Sequence, residues 1–204
     1  MVSNAVELHG PRVVIRPLVP GDFKQWSEVR VRCGEWLTKW EPAPLPGCPD
    51  ISTDKHAFSR RCAMRDREWN AGTAFGFGIF RDGRFMGEVN INSVQRGPFQ
   101  NAYVGYWIDR DCAGNGYMPE AVALVLAFAF EEIHLHRIQI SVIPRNNSSR
   151  RVAEKLRLRE EGIADRYLEI NGVWEDHVRY GITSEDWQLK RDFYIRHFLG
   201  GTFS

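Results

Sequence analysis

The stretch from Tyr106 to Ile133 constrains the fold of this chain more than any other. A strand-like run, Tyr103 to Asp109, leads into Arg110-Asp111-Cys112-Ala113-Gly114-Asn115-Gly116 and then into a long apolar helix pattern from Pro119 to Ile133. Ala121, Val122, Leu124, Val125, Phe128 and Phe130 read as core, so this helix must lie against a sheet. Pro119 suits the first helical turn, where a missing N–H leaves nothing unsatisfied. Backbone amides at such a strand-to-helix junction can face an anion, and the helix dipole favours negative charge there. Gly114 and Gly116 allow the φ angles and the close backbone approach that an anion cradle needs. A pyrophosphate is the natural guest. The loop has neither the Gly-Lys-Ser/Thr ending of a nucleotide P-loop nor the Gly-x-Gly-x-x-Gly of a dinucleotide site. On the two glycines alone, a tight turn explains the segment as well.

The flanking chain supplies the other elements. Val13 to Arg16 reads as a strand, Asp22 as a helix cap, and Phe23, Trp26 and Val29 as one side of a helix. Glu41 to Asp50 holds four prolines and one glycine and reads as a loop. Thr53 is expected to cap a helix from Asp54 to Asn70, with Ala57, Phe58, Cys62 and Met64 near its buried side. Thr73 to Phe80 and Arg84 to Val94 flank an Asp82-Gly83 hairpin turn. After the long helix come a strand, Arg137 to Ile143, and a helix, Asn147 to Leu156. Leu168 to Ile170 and Trp174 to Ile182 flank an Asn171-Gly172 turn, and Ser184 is expected to cap a last helix ending near Gly200-Gly201. Consecutive strands joined by tight turns pair antiparallel, and the strand-helix-strand step adds one parallel crossover. The expected class is α+β: a mixed, mostly antiparallel sheet flanked by helices, in one domain spanning 1–204 with a helical extension from about residue 184.

Composition narrows the function classes. The chain has 204 residues, 27 basic against 26 acidic, for a formal net charge of +1. That balance exerts no global pull toward nucleic acid or an anionic membrane, so neither partner is expected. The longest apolar run, Ala121 to Phe130, falls short of the roughly 20 residues that span a bilayer. Met1 to Gly10 does not read as a leader. Cys33, Cys48, Cys62 and Cys112 are scattered without Cys-x-x-Cys spacing, which fits a reducing, cytoplasmic setting. His134 and His136 lack a clear third ligand, so no metal site is expected.

Three motifs together resemble the GNAT superfamily of N-acetyltransferases. The loop resembles its pyrophosphate motif, Gln/Arg-x-x-Gly-x-Gly/Ala, with Ala113 at the first position, Gly116 at the first glycine and Met118 at the last. Ala113 departs from the pattern, removing a side chain but keeping the amide. Asn146 and Ser149 are similar to the family's Asn-x-x-Ser signature. There the usual Lys-Leu-Gly-Phe continuation is Lys155-Leu156-Arg157-Leu158, which lacks the helix-ending glycine. Glu160-Glu161-Gly162 and Asn171-Gly172 through Asp176 look like the RimJ/RimL branch, which acetylates N-termini of ribosomal proteins, and Leu37 to Pro42 resembles the family's Leu-x-x-Trp segment beside the acceptor.

The resemblance implies acetyl-coenzyme A as cofactor, held by Trp107, Ile108, Asp109, Ala113, Gly114, Asn115, Gly116, Tyr117, Met118, Asn146 and Ser149. It implies an oxyanion contact from the Ile108 amide and a proton for the leaving thiolate from Ser149. Simple helix capping is the plain alternative for Asn146 and Ser149. Glu88 is the candidate base, against the alternative of an exposed strand carboxylate. Trp40, Glu88 and Tyr167 are the candidate acceptor contacts. Asp109 otherwise caps the loop, and Glu120 complements the helix dipole. Arg150, Arg151 and Lys155 are candidates for the cofactor's 3′-phosphate or simply solvated. The acceptor is a protein N-terminus or a small amine, with a weakly catalytic cofactor-binding ribosome-assembly module as the non-enzymatic alternative. The protein is expected to be a monomer or homodimer.

Overall fold

A computed structural model of the chain describes residues 6–44, 47 and 49–200. In chain order the elements are β1 (Leu8–His9), β2 (Val14–Arg16), α1 (Phe23–Arg32), α2 (Gly34–Thr38), α3 (Lys55–Ala71), β3 (Phe75–Arg81), β4 (Arg84–Gln95) and β5 (Asn101–Ile108). Then follow α4 (Tyr117–Ala127), β6 (Arg137–Val142), α5 (Asn147–Lys155), β7 (Arg159–Ile170), β8 (Val173–Thr183) and α6 (Ser184–Tyr194). The strands form one eight-stranded sheet in the order β1-β2-β3-β4-β5-β6-β8-β7. Every pairing is antiparallel except β5 with β6. The mixed sheet expected from the sequence is therefore present. Cys48 and Gly201 lie outside the described residues, as do 1–5 of the N-terminal stretch.

Both hairpin signals hold. Asp82 and Gly83 have φ of 50° and 74°, and Asn171 and Gly172 have 47° and 82°, the pair of positive angles that a two-residue turn needs to match strand twist. At β4 the close approach of β5 demands a glycine. A Cβ at Gly87 would press on the Trp107 carbonyl oxygen and lie 2.8 Å from Ile108 Cα.

Local details correct four expectations. Asp54, not Thr53, caps α3, because its carboxylate accepts from the amides of His56 and Ala57. Met64 is 48% exposed and lies off the buried side that Ala57, Phe58 and Cys62 form. Thr183, not Ser184, caps α6 through a reciprocal pair with Asp186. The strand expected over Leu168 to Ile170 begins at Arg159. The missing glycine at Arg157 does not abolish the turn after α5: Arg157 itself adopts a φ of 52°, with its guanidinium 4.0 Å from the Phe193 ring centroid.

Two apolar clusters sandwich the sheet. The larger joins α4, in which Ala121 to Leu126 are fully buried, to Val89, Ile91, Val104, Ile138 and Ile140, and it takes in Trp187 and Tyr194 of α6. The smaller packs Trp26, Val29, Leu37, Phe58 and Cys62 against Phe80 and Phe85. Strand alternation does the sorting: Val89 and Ile91 enter the larger core, and Glu88 and Asn90 between them face the other way.

Candidate active site

The single parallel pairing creates the site. β5 and β6 pair only at Asn101↔Arg137, Ala102↔Ile138 and Tyr103↔Gln139, after which they part. Asp109 N donates to Met86 O at 2.6 Å, and β4 and β5 stay in constant register from Gly87↔Ile108 to Asn92↔Tyr103. In an antiparallel ladder both polar groups of a residue face the same neighbour, and the side alternates. Gly105 and Trp107 therefore address β4, and the N–H and C=O of Tyr106 and Ile108 open into the wedge between β5 and β6. These are backbone groups that a ligand with its own amides can pair with.

The wedge widens into a groove of about 710 Å³. Tyr106, Trp107 and Ile108 line it from β5, Ala113, Gly114, Gly116, Tyr117 and Met118 from the glycine loop, and Asn146, Ser149, Arg151 and Lys155 from α5. Trp36, Lys39, Trp40 and Glu41 line it from α2 and the residues that follow. Tyr106 ties the two walls together, its hydroxyl donating to Ser149 O at 2.9 Å. Burial pushes the Tyr106 phenol well above its ordinary range, so it stays a donor.

Gly114 and Gly116 have φ of 83° and 82°, and Gly116 caps α4 without a side-chain partner. The first amides of α4 are thus left for an outside acceptor. Asn146 caps α5 by accepting from Ser149 N at 3.2 Å, so its capping role is real while it also lines the groove. The Ser149 side chain lies in hydrogen-bonding reach of the Tyr106 phenol, whose pKa it lowers against the larger effect of burial, and it lines the groove.

Four expected site residues sit elsewhere. Glu88 is 2% exposed and receives Trp26 Nε1 at 2.6 Å and Arg61 at 2.5 Å. Its carboxylate is engaged as a buried ion-pair partner, is not exposed, and does not line the groove. Asp109 is fully buried beneath the loop, bound by Arg32 at 2.5 Å and by the Asp111 amide at 3.1 Å. It shapes the loop and does not line the groove. Burial opposes its charged form, and the Asp111 amide, Arg32 and Cys33 outweigh burial and hold its carboxyl below the usual range. Asn115 turns its amide onto the carbonyls of Cys112 and Ala113. Tyr167 lies at the apex of the wedge against Gln139 and His177, outside the groove lining. Of the basic trio, Arg151 and Lys155 line the groove, and Arg150 is engaged with the Tyr180 hydroxyl at 3.1 Å.

Several contributors are invisible to sequence reasoning. Arg145 grips Glu175 with two bonds of 2.6 Å and sits 5.6 Å from the Trp40 ring centroid. Asn171 N donates to Glu41 O at 3.2 Å, and Arg30 holds the Glu41 carboxylate with two 2.7 Å bonds. The β7–β8 hairpin is thereby strapped to the segment after α2, across the mouth of the wedge. Arg12 and Glu120 meet behind the glycine loop. Glu120 is 1% exposed and accepts from Arg12 and Val13, so it does more than complement the helix dipole.

This architecture matches known proteins. The acetyltransferase (GNAT) domain family matches residues 12–159. The ribosomal protein uS5-alanine N-acetyltransferase of Escherichia coli (strain K12) is 30% identical over 188 residues, covering 89% of this chain and 93% of that protein. A probable N-acetyltransferase of Bacillus subtilis (strain 168), YjcK, is 46% identical over 114 residues, which is 55% of this chain and 63% of that relative, so the match spans under two thirds of its length. Among solved structures, Mycobacterium smegmatis RimJ in complex with CoA-disulfide superposes with a TM-score of 0.83 at 32% identity, over 94% of this chain and 92% of that one. The ribosomal-protein-S5-alanine acetyltransferase from Vibrio fischeri gives a TM-score of 0.80 at 28% identity, over 89% and 98%.

Proposed function

The chain belongs to the GNAT acetyltransferase family and is an acetyl-coenzyme A-dependent N-acetyltransferase; within that class we propose that its acceptor is the free α-amine of a protein N-terminus, with alanine- or serine-started ribosomal proteins as first candidates. Acetyl-coenzyme A supplies an activated acyl thioester. The residues of this chain that would hold it are the loop amides from Gly114 to Met118, the open edge of Tyr106 and Ile108, and Asn146, Arg151 and Lys155.

One observation carries the choice of acceptor. Glu41 is the sole acidic side chain lining the groove among the described residues, and Arg30 already neutralises it. Such a wall offers neither a free base nor an acidic trough for a polycation. An α-amino group, with a pKa of about 7.7–8.0, is roughly a quarter to two-fifths neutral at pH 7.5, whereas about a thousandth of a lysine is. A groove without a free carboxylate suits the amine that needs the least deprotonation. The names of the uS5-alanine relatives support the same reading.

Catalysis then rests on placement, which supplies about 7–11 kcal/mol in favourable cases. The amine nitrogen bonds to the acyl carbon as the carbon–sulfur bond breaks, and the amine proton passes to solvent. The open amides of Tyr106 and Ile108 are the donors for the charge that develops on the acyl oxygen. The Ser149 hydroxyl, beside the Tyr106 phenol, is the donor for the leaving thiolate and recovers its proton from solvent. Mass spectrometry of a peptide with both a free N-terminus and an internal lysine tests the acceptor. Acetyl on the α-amine alone is expected; acetyl on the lysine side chain contradicts the reading.

A further inference from the structure

Behind the glycine loop lies an ion pair that the reaction itself does not use. The turn Gly10 to Val13, closed by Gly10 N donating to Val13 O at 2.8 Å, brings Arg12 against the start of α4. The Arg12 guanidinium forks. One amino group donates to Asn115 O at 3.0 Å, the other to Gly116 O at 3.1 Å, and Nε donates to Glu120 at 2.8 Å. Glu120 in turn accepts from the amides of Arg12 at 2.7 Å and Val13 at 3.0 Å. The packing is close: a Cβ on Gly10 would lie 2.6 Å from the Glu120 carboxylate, and one on Gly116 would lie 3.3 Å from the guanidinium.

We propose that Arg12 is a positioning residue for cofactor binding: by fixing the carbonyls of Asn115 and Gly116 from behind, it holds the loop in the shape that receives the pyrophosphate. A loop with two left-handed glycines has many accessible conformations. Ordering it on binding would cost affinity that a pre-ordered loop keeps. Carbonyl dipoles turned toward an anion would repel it, and a cation bonded to both carbonyls from behind keeps them turned away. Glu120 is the anchor. A buried carboxylate is costly unless it is paired and hydrogen-bonded, and three donors from residues 12 and 13 satisfy this one. Lysine cannot replace the fork, because a point ammonium does not reach two carbonyls and a carboxylate in one plane.

The test compares two ligands on the full chain. Coenzyme A carries the pyrophosphate; pantetheine carries only the arm. Affinity for coenzyme A is measured by calorimetry and for pantetheine by NMR titration at millimolar concentration. Arg12→Gln is expected to weaken coenzyme A at least fivefold more than it weakens pantetheine, and Arg12→Lys is expected to do the same. A smaller difference between the two ligands, including equal loss of both, overturns the proposal by reducing Arg12 to general structural support. Restoration of coenzyme A affinity by Arg12→Lys also overturns it, since charge on the phosphates would then be the cause. Neither measurement needs an acceptor, so the outcome is independent of which amine the enzyme acetylates.

Discussion

Ser149→Ala removes a groove hydroxyl placed to protonate a leaving thiolate while leaving the helix cap intact, because the cap uses the Ser149 amide. It is expected to lower kcat tenfold or more with coenzyme A affinity unchanged, as measured by steady-state kinetics and calorimetry; an unchanged kcat removes Ser149 from the mechanism. Glu88 shows the opposite case. A carboxylate on a strand beside the site reads as a base in the sequence, but Trp26 and Arg61 come from elements 62 and 27 residues away. No local pattern announces that partnership. Glu88→Gln is expected to cost about 1–3 kcal/mol of stability, since a buried cation loses its partner, and to change kcat less than threefold. Denaturant unfolding and kinetics on one preparation separate the two effects. Asp109 carries a pH signature. Its folded-state carboxyl is depressed, so its stabilisation is complete above the ordinary value of about 3.9 and is lost as pH falls through the folded value. Asp109→Asn is expected to flatten the fall in stability below about pH 4, read by urea unfolding across that range.

At the scale of elements, legibility followed contiguity. The two hairpin turns, the glycine loop and the Asn-x-x-Ser cap are each written in adjacent residues, and each is present. Most of β7 was not legible: Arg159 to Tyr167 lacks apolar alternation because β7 is the edge strand and nearly all of it faces solvent. The strap over the wedge was equally hidden, since it joins Arg145 to Glu175 and Asn171 to Glu41. Glu175→Ala frees Arg145, which lines the groove, while Glu175 itself does not line it. It is expected to raise KM for an acceptor peptide severalfold and leave KM for acetyl-coenzyme A unchanged, read in a two-substrate steady-state matrix. Within the sheet, Gly87→Ala forces a methyl against the backbone of Trp107 and Ile108, which cannot move aside as a side chain can. It is expected to cost about 1–3 kcal/mol in denaturant unfolding.

For the whole molecule, one sheet defect organises everything else. The parallel step between β5 and β6 requires a crossover, α4 is that crossover, and the loop that opens α4 lies at the end of the open β5 edge. Anion cradle, amide edge and Ser149 wall are thus placed by topology, and the apolar bulk of α4 holds them. The long-range clamps were beyond sequence reasoning for one physical reason: Arg12 and Glu120 lie 108 residues apart, Arg32 and Asp109 lie 77 apart, and only the folded chain brings them together. A ligand bound to the folded state alone stabilises it by about 2.7 kcal/mol at a hundred times its Kd. For a domain of this size that corresponds to a rise in Tm of roughly 5–10 °C, expected with coenzyme A in a thermal scan. The central claim is acetyl transfer to an N-terminal amine. It is tested most directly by mixing the protein with acetyl-coenzyme A and short peptides that differ at their first residue, and following free thiol release. Release with alanine- or serine-started peptides, abolished when their N-termini are blocked, is the predicted result. Silence on every peptide alongside turnover of small amines would contradict the account.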